Sequence, residues 1–526
     1  MKKIAILFTL FISVQSKAQE SYWQQKVYYN VDVSLNDNEK KLAGTEKIIY
    51  KNNSPESLDF IWLHLWPNAY KNDSTALFRQ ISSDKSRSKK LDSRTPGNID
   101  GLSFVVNGQP ARTEAHPRPG YIDVVKLILP APLIPGDSLT ISTPFSVKLP
   151  AYFSRSGFAD GEFMICQWYV KPAVYDKDGW HEMPYLDMGE FYSEYGDYDV
   201  KITLPAEYVV AATGNMQTNE ELAMYKAVGR INSTARNGKP ALYIPKDKTT
   251  AKTLQFTAAN VPDFAWFAKK EFIIQYDTVQ LKSGKVVDAF TYYYNHKGSL
   301  WTGSIDYVKD AVHFYSNAIG NYDYPVVQAV EGPKNNSSGG MEYPMVTLIT
   351  SPDAKAESLD AVIAHEVGHN WFMSMLGSNE RLHTWLDEGL NTYFQFRYEA
   401  EKYRSNMIFG SAIPESVRRL PADQFQGAVY QALVSIPMQA AIATPAADFK
   451  SSDEYGMVSY IKTALWMYML ERAVGKEKID LAFKNYFNEW KHKHPQPLDM
   501  KNSFEKTIGG KLDSFFGLLN KEGKLE

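Results

Sequence analysis

Cysteine is nearly missing: Cys166 is the only one in 526 residues, so no disulfide can form within the chain. Stability must come from packing and from any bound metal, and an isolated thiol of this kind reads as a small buried hydrophobe, not a nucleophile. Excess charge of either sign is also missing. Lys and Arg number 57 against 60 Asp and Glu, and the resulting net charge of -3 signals no preference for nucleic acid or an anionic membrane. Past the leader, no apolar run approaches the roughly 20 residues of a membrane helix. No G-x-S-x-G elbow, Cys-His pairing or phosphate-cradling glycine loop competes for the chemistry.

What is present suits a large globular protein: 44% hydrophobic residues, with 22% charged, in a chain long enough for several domains. Met1-Lys2-Lys3 is basic, Ile4 to Val14 is apolar, and Ser16-Lys17-Ala18 places small residues before Gln19. This predicts a secretory signal peptide over 1–18, and hence export to the periplasm or outside the cell; an uncleaved anchor is the alternative. No cysteine follows the leader, which argues against a lipoprotein.

From 19 to 270 the period is two. Tyr29, Val31, Val33 and Leu35 alternate with polar partners, and Leu58 to Trp66, Ile122 to Leu129 and Leu139 to Thr143 repeat the pattern between turn residues. This predicts an N-terminal β domain, with Thr75 to Asp100 as a long charged loop. Cys166 to Tyr195, dense in polar aromatics and charges, is its best candidate for substrate contact. From 271 to 526 the period becomes helical. Ile305, Val308, Val312 and Tyr315 share a face, and Tyr324 to Val330 and Met345 to Thr350 read as strands. The predicted fold class is multidomain α+β: the β domain, then a mostly helical domain with a small mixed sheet.

The chemistry concentrates in His365-Glu366-Val367-Gly368-His369, an H-E-x-x-H element in an apolar-periodic helix. At 100° per residue both imidazoles and the carboxylate share one face, so two nitrogens can close on one zinc ion. A catalytic zinc needs a third protein ligand. Glu388, separated from His369 by eighteen residues, lies in Trp385-Leu386-Asp387-Glu388-Gly389-Leu390, which reads as a second helix that returns a carboxylate to the metal. One Zn2+ per chain, held by His365, His369 and Glu388, leaves Glu366 free to act as a base. Upstream, Gly339-Gly340-Met341-Glu342-Tyr343-Pro344 combines glycines that admit a close ligand with a proline suited to an edge strand, which an extended peptide can pair with.

H-E-x-x-H, eighteen residues and a glutamate in W-L-x-E-G together resemble the gluzincin metallopeptidases of the aminopeptidase N family. The resemblance implies a thermolysin-like catalytic domain and release of N-terminal amino acids from peptides. It further implies that Glu342, with Gly339, Gly340 and Met341, matches the family's G-x-M-E-N element, whose carboxylate binds the substrate's free amine; Tyr343 replaces the asparagine. Gln167 matches the glutamine of an amine-holding element in the β domain, with Tyr169 where a second acceptor would stand. Tyr460, in Tyr460-Ile461-Lys462-Thr463-Ala464, matches the tyrosine that donates to the oxyanion, with Tyr455 as competitor. Expected partners are peptides with a free N-terminus, not nucleic acid. Two alternatives stay open, a zinc endopeptidase of the same fold and a non-catalytic peptide-binding relative.

Overall fold

Along Lys26–Asn36 every second side chain is buried, with Val27, Tyr29, Val31, Val33 and Leu35 turned inward. That alternation is what a strand with one wet face requires. The computed structural model describes residues 22–84, 95–234, 239–245, 250–294, 299–335, 339–351 and 356–525. The expected leader and the charge run Lys85 to Lys90 lie outside them. Lys26–Asn36 sits centrally in a nine-stranded sheet, antiparallel to Lys41–Lys51 and parallel to Gly196–Pro205. Ala251–Val261 and Ser138–Lys148 extend this sheet on its two sides. Two four-stranded sheets, one built on Leu58–His64 and Val124–Leu133 and the other on Glu162–Ile165 and Trp266–Lys269, and a two-stranded ribbon of Tyr175–Asp176 and Gly179–Trp180 lie beside it.

Two helices interrupt this region against expectation. Ala76–Ser83 forms inside the segment read as a loop, because Thr75 caps it by accepting from the Phe78 amide and Leu77, Phe78 and Ile81 bury one face. Asn219–Thr234, with Glu220 and Glu221 in its first turn, packs on the strand Ile273–Gln280. Gly229 permits the approach: a Cβ there would meet the Tyr276 amide nitrogen at 2.8 Å.

The second region carries a five-stranded mixed sheet in the order Ile273–Gln280, Val286–Tyr293, Val326–Glu331, Val346–Ile349, Gly340–Met341. Gly340–Met341 is its edge, antiparallel to Val346–Ile349. Helices Ser304–Ala318, Ala356–His369, Glu388–Lys402, Thr463–Val474 and Lys476–Trp490 pack around it. The sequence-based fold class, a β-sheet domain followed by a helical domain with a small mixed sheet, is what the structure shows.

Polar contacts tie the two regions. Gln328 donates to the Ala212 carbonyl at 2.7 Å, and the buried His494 imidazole bridges Glu194 Oε1 (2.9 Å) and the Gly377 carbonyl (2.7 Å). Among the described residues no helix is long and apolar enough to cross a membrane.

Candidate active site

Leu359, Ile363 and Val367 recur at helical spacing, and Ala356–His369 is buried over most of its surface. Gly368 lets this helix approach its neighbours, since a Cβ there would collide with Tyr315 and Asn391. Asn391 uses that closeness, donating to the His365 carbonyl at 2.7 Å and accepting from the Tyr315 hydroxyl at 2.8 Å. The helix Glu388–Lys402 is thereby held against the first, with Glu388 at its start.

His365 Nε2 stands 3.1 Å from His369 Nε2, and Glu388 Oε2 lies 3.3 Å from the first and 3.4 Å from the second. Three donors bound at 2.0 to 2.1 Å to one tetrahedral ion would be separated by about 3.3 Å. The triangle therefore fits zinc, and its donor set of two imidazoles and one carboxylate is that of a catalytic site. Each donor is oriented from outside. His365 Nδ1 meets Gln395 Oε1 at 2.8 Å, His369 Nδ1 meets Asp387 Oδ1 at 2.6 Å, and Tyr460 donates to Glu388 Oε1 at 2.5 Å. Such partners fix ring orientation and leave the inner nitrogens for a metal. Burial would raise the Glu388 carboxyl, but the His369 and His365 imidazoles hold it well below the usual range.

Glu366 shares the helix but not the triangle. Its Oε2 has no partner among the described residues, and burial lifts the carboxyl to about 7 against the opposing pull of His365 and His369. That is a carboxylate able to accept and return a proton near neutrality. Burial, with Glu388 nearby, keeps the Tyr460 hydroxyl protonated and able to donate; its ring stacks on His365. Tyr455 lines the same cleft with its hydroxyl unpartnered among the described residues, so only Tyr460 of the two touches Glu388.

The cleft has a volume of about 550 Å³ and is lined by His365, Glu366, His369, Glu388, Tyr460, Gly339, Gly340, Met341 and Glu342. Glu342 is 7% exposed and accepts no hydrogen bond among the described residues. Burial raises its carboxyl strongly, and the carboxylates of Glu190, Glu388 and Glu366 add to the rise while His369 opposes it. Gln167 lines a small adjoining pocket together with Glu190, Met341 and Glu342, three residues that also line the cleft. Its amide is occupied, Nε2 on Asp263 at 3.2 Å and Oε1 on the Tyr343 hydroxyl at 3.3 Å. Tyr169 is likewise held by Asp263 at 2.8 Å.

The β region reaches the cleft through Ser154, Arg155, Asp187, Met188 and Glu190 instead. Glu190, which sequence reasoning missed, places a carboxylate oxygen within 4.8 Å of those of Glu342 and Glu388. The available signal was an acid following Gly189, a glycine at φ +82°, inside the polar aromatic stretch.

Residues 304–518 match the family described as "Peptidase family M1 domain". The chain carries a peptidase family M1 domain of the gluzincin type. The chain is 27% identical over 184 residues to leucine aminopeptidase 2 of Yarrowia lipolytica, covering 34% of this chain and 27% of that protein. To the leukotriene A-4 hydrolase homolog of Botryotinia fuckeliana it is 29% identical over 189 residues, covering 34% and 27%. The matched stretch thus spans under a third of these relatives' length. The fold extends further. An M1 zinc metallopeptidase from Deinococcus radiodurans superposes with a TM-score of 0.61 at 16% identity, covering 95% of this chain and 94% of that one. Legionella pneumophila aminopeptidase A, solved with aspartic acid, gives 0.62 at 15% identity over 96% of this chain and 50% of that one. The Deinococcus radiodurans structure is of a zinc metallopeptidase, and the donors of the present site fit zinc.

Proposed function

We propose that this protein is a zinc aminopeptidase, binding one zinc ion per chain and releasing N-terminal residues from peptides. The observation that carries the reading is the buried carboxylate of Glu342, unpartnered among the described residues and facing Glu190 and Glu388 beside the donor triangle. A buried charge without a counterion costs several kcal/mol, on the order of 3 to 5 when one partner is removed. A substrate α-ammonium is the cation that fits there.

His365, His369 and Glu388 would hold the metal, which when bound acidifies water and polarises the scissile carbonyl. Glu366 takes the proton from the attacking water and delivers it to the leaving amine. Tyr460 turns its hydroxyl towards the carbonyl oxygen as negative charge develops there. The edge Gly340–Met341 pairs with the extended peptide backbone, which aligns the first peptide bond with Glu366. Glu342 measures the distance from the free amine, so that one residue is removed at a time.

Support for export comes from the leader's composition, and we extend the proposal to a periplasmic or extracellular location, checked by sequencing the mature N-terminus. The catalytic reading is tested with Glu342→Ala. It should lower kcat/KM for free-amine substrates by about a hundredfold, the ~3 kcal/mol of a lost buried charge partner. Hydrolysis of N-acetylated substrates should be unaffected. Equal activity of wild type on both substrate classes, with no effect of the substitution, would establish an endopeptidase instead.

A further inference from the structure

Arg155 reaches the cleft from the β region, yet it has little left to offer a substrate. Its Nε donates to Glu190 Oε2 at 3.0 Å, and Nη2 donates to Glu190 Oε1 and to the Asp187 carbonyl at 3.3 Å. Nη1 donates to the Leu186 carbonyl at 3.0 Å. Four of the five guanidinium N–H groups are thereby committed to the segment from Leu186 to Glu190. The side chain is 4% exposed, packed near the rings of Tyr185 and Phe191. A planar fork on a carboxylate sets both the position and the plane of the acid, which a lysine cannot do.

Glu190 is the acid so held, and it faces Glu342 and Glu388. We infer that Arg155 is a positioning residue for amine recognition: its two-pronged contact holds Glu190 aimed at the substrate's α-ammonium, opposite Glu342. The inference rests on the aminopeptidase reading. Without Arg155, Glu190 would lose the fork that fixes its position beside Glu342. Glu190 would then be free to swing away, which removes one of the amine's acceptors. With Arg155 in place, Glu190 accepts from the ammonium while its charge is already balanced. Glu342 supplies the charge that the ammonium neutralises. The arrangement selects a single positive charge at that point, and an acetylated or absent amine leaves Glu342 unpaired.

A double-substitution cycle tests this, with Arg155→Met, Glu190→Gln and the pair, on zinc-loaded protein, using free and N-acetylated aminoacyl amides. Arg155→Met should raise KM for free-amine substrates about tenfold, with kcat changed less, and leave acetylated substrates unaffected. In the Glu190→Gln background the same substitution should add nothing, since residues acting through one contact lose their effect once. Arg155→Lys, which keeps the charge but not the fork, should fall between, and serves if Arg155→Met does not fold. Independent, multiplying losses would overturn the inference, as would equal losses on both substrate classes. If wild type itself fails to distinguish free from acetylated substrates, the aminopeptidase reading fails instead.

Discussion

Gly340 shows how tightly single residues are specified around the reacting groups. A Cβ at this position would stand 2.6 Å from both Cγ and Cδ of Glu366, so the glycine makes room for the base. Gly340→Ala should therefore displace the carboxylate and lower kcat about tenfold to a hundredfold, as expected when a catalytic group is misplaced by about 1 Å. Glu366→Gln should abolish turnover more completely. Metal content, measured by elemental analysis, should stay at the wild-type level in both, because Glu366 is outside the donor triangle. Metal loss in Glu366→Gln would contradict that separation of roles. At this scale the sequence was most legible where the chemistry is local. His365, Glu366 and His369 share a helix face by spacing alone, and Glu388 follows in a recognisable second helix. Glu190 was not legible, because which side chain of a β region reaches a distant cleft depends on turns and packing, not periodicity. Gln167, bonded to Asp263 and Tyr343, lines a pocket beside the cleft, and an acid 23 residues later lines both.

Among elements, the loop between Trp490 and Pro497 does more than join two helices. Its His494 is 4% exposed and hydrogen-bonds both Glu194 of the β region and the Gly377 carbonyl beyond the motif helix. Burial alone would lower this imidazole, but the Glu194 carboxylate and the Gly377 carbonyl outweigh it and the net displacement is upward. A histidine raised on folding stabilises fully below its unfolded value of about 6.5, and the contribution fades as pH rises through the folded value. The Tm difference between wild type and His494→Gln should thus be largest at acidic pH and shrink as pH rises above about 6.5. A difference that grew towards alkaline pH would contradict the pairing. Elements with strict alternation, such as Lys26–Asn36, were legible from the sequence. Asn219–Thr234 was not, although its acidic first turn was a helix signal, because only Tyr225, Gly229 and Asn232 of its sixteen residues are buried and its apolar stripe is thin. Ala76–Ser83 was hidden by the charged residues that follow it.

At the scale of the whole molecule, the cleft is a product of two regions. The helical region contributes His365, Glu366, His369, Glu388, Tyr460 and Glu342 to its lining, while the β region contributes Glu190, which Arg155 holds. The two-part order of the chain could be read from the switch in hydrophobic period near 270. Their mutual placement could not, since it is set by contacts such as Gln328 to Ala212 and His494 to Glu194 between residues over a hundred positions apart. On the proposed function, this joint construction would couple metal chemistry to a free N-terminus. The measurement that tests this most directly compares initial rates on one aminoacyl amide, free and N-acetylated, before chelation, after exhaustive chelation, and after zinc is restored. The account predicts hydrolysis of the free substrate about a hundredfold faster than of the acetylated one, the ~3 kcal/mol of the amine contact. It also predicts loss of that activity with the metal and recovery with zinc. Activity that survives chelation, or equal rates on the two substrates, would contradict it.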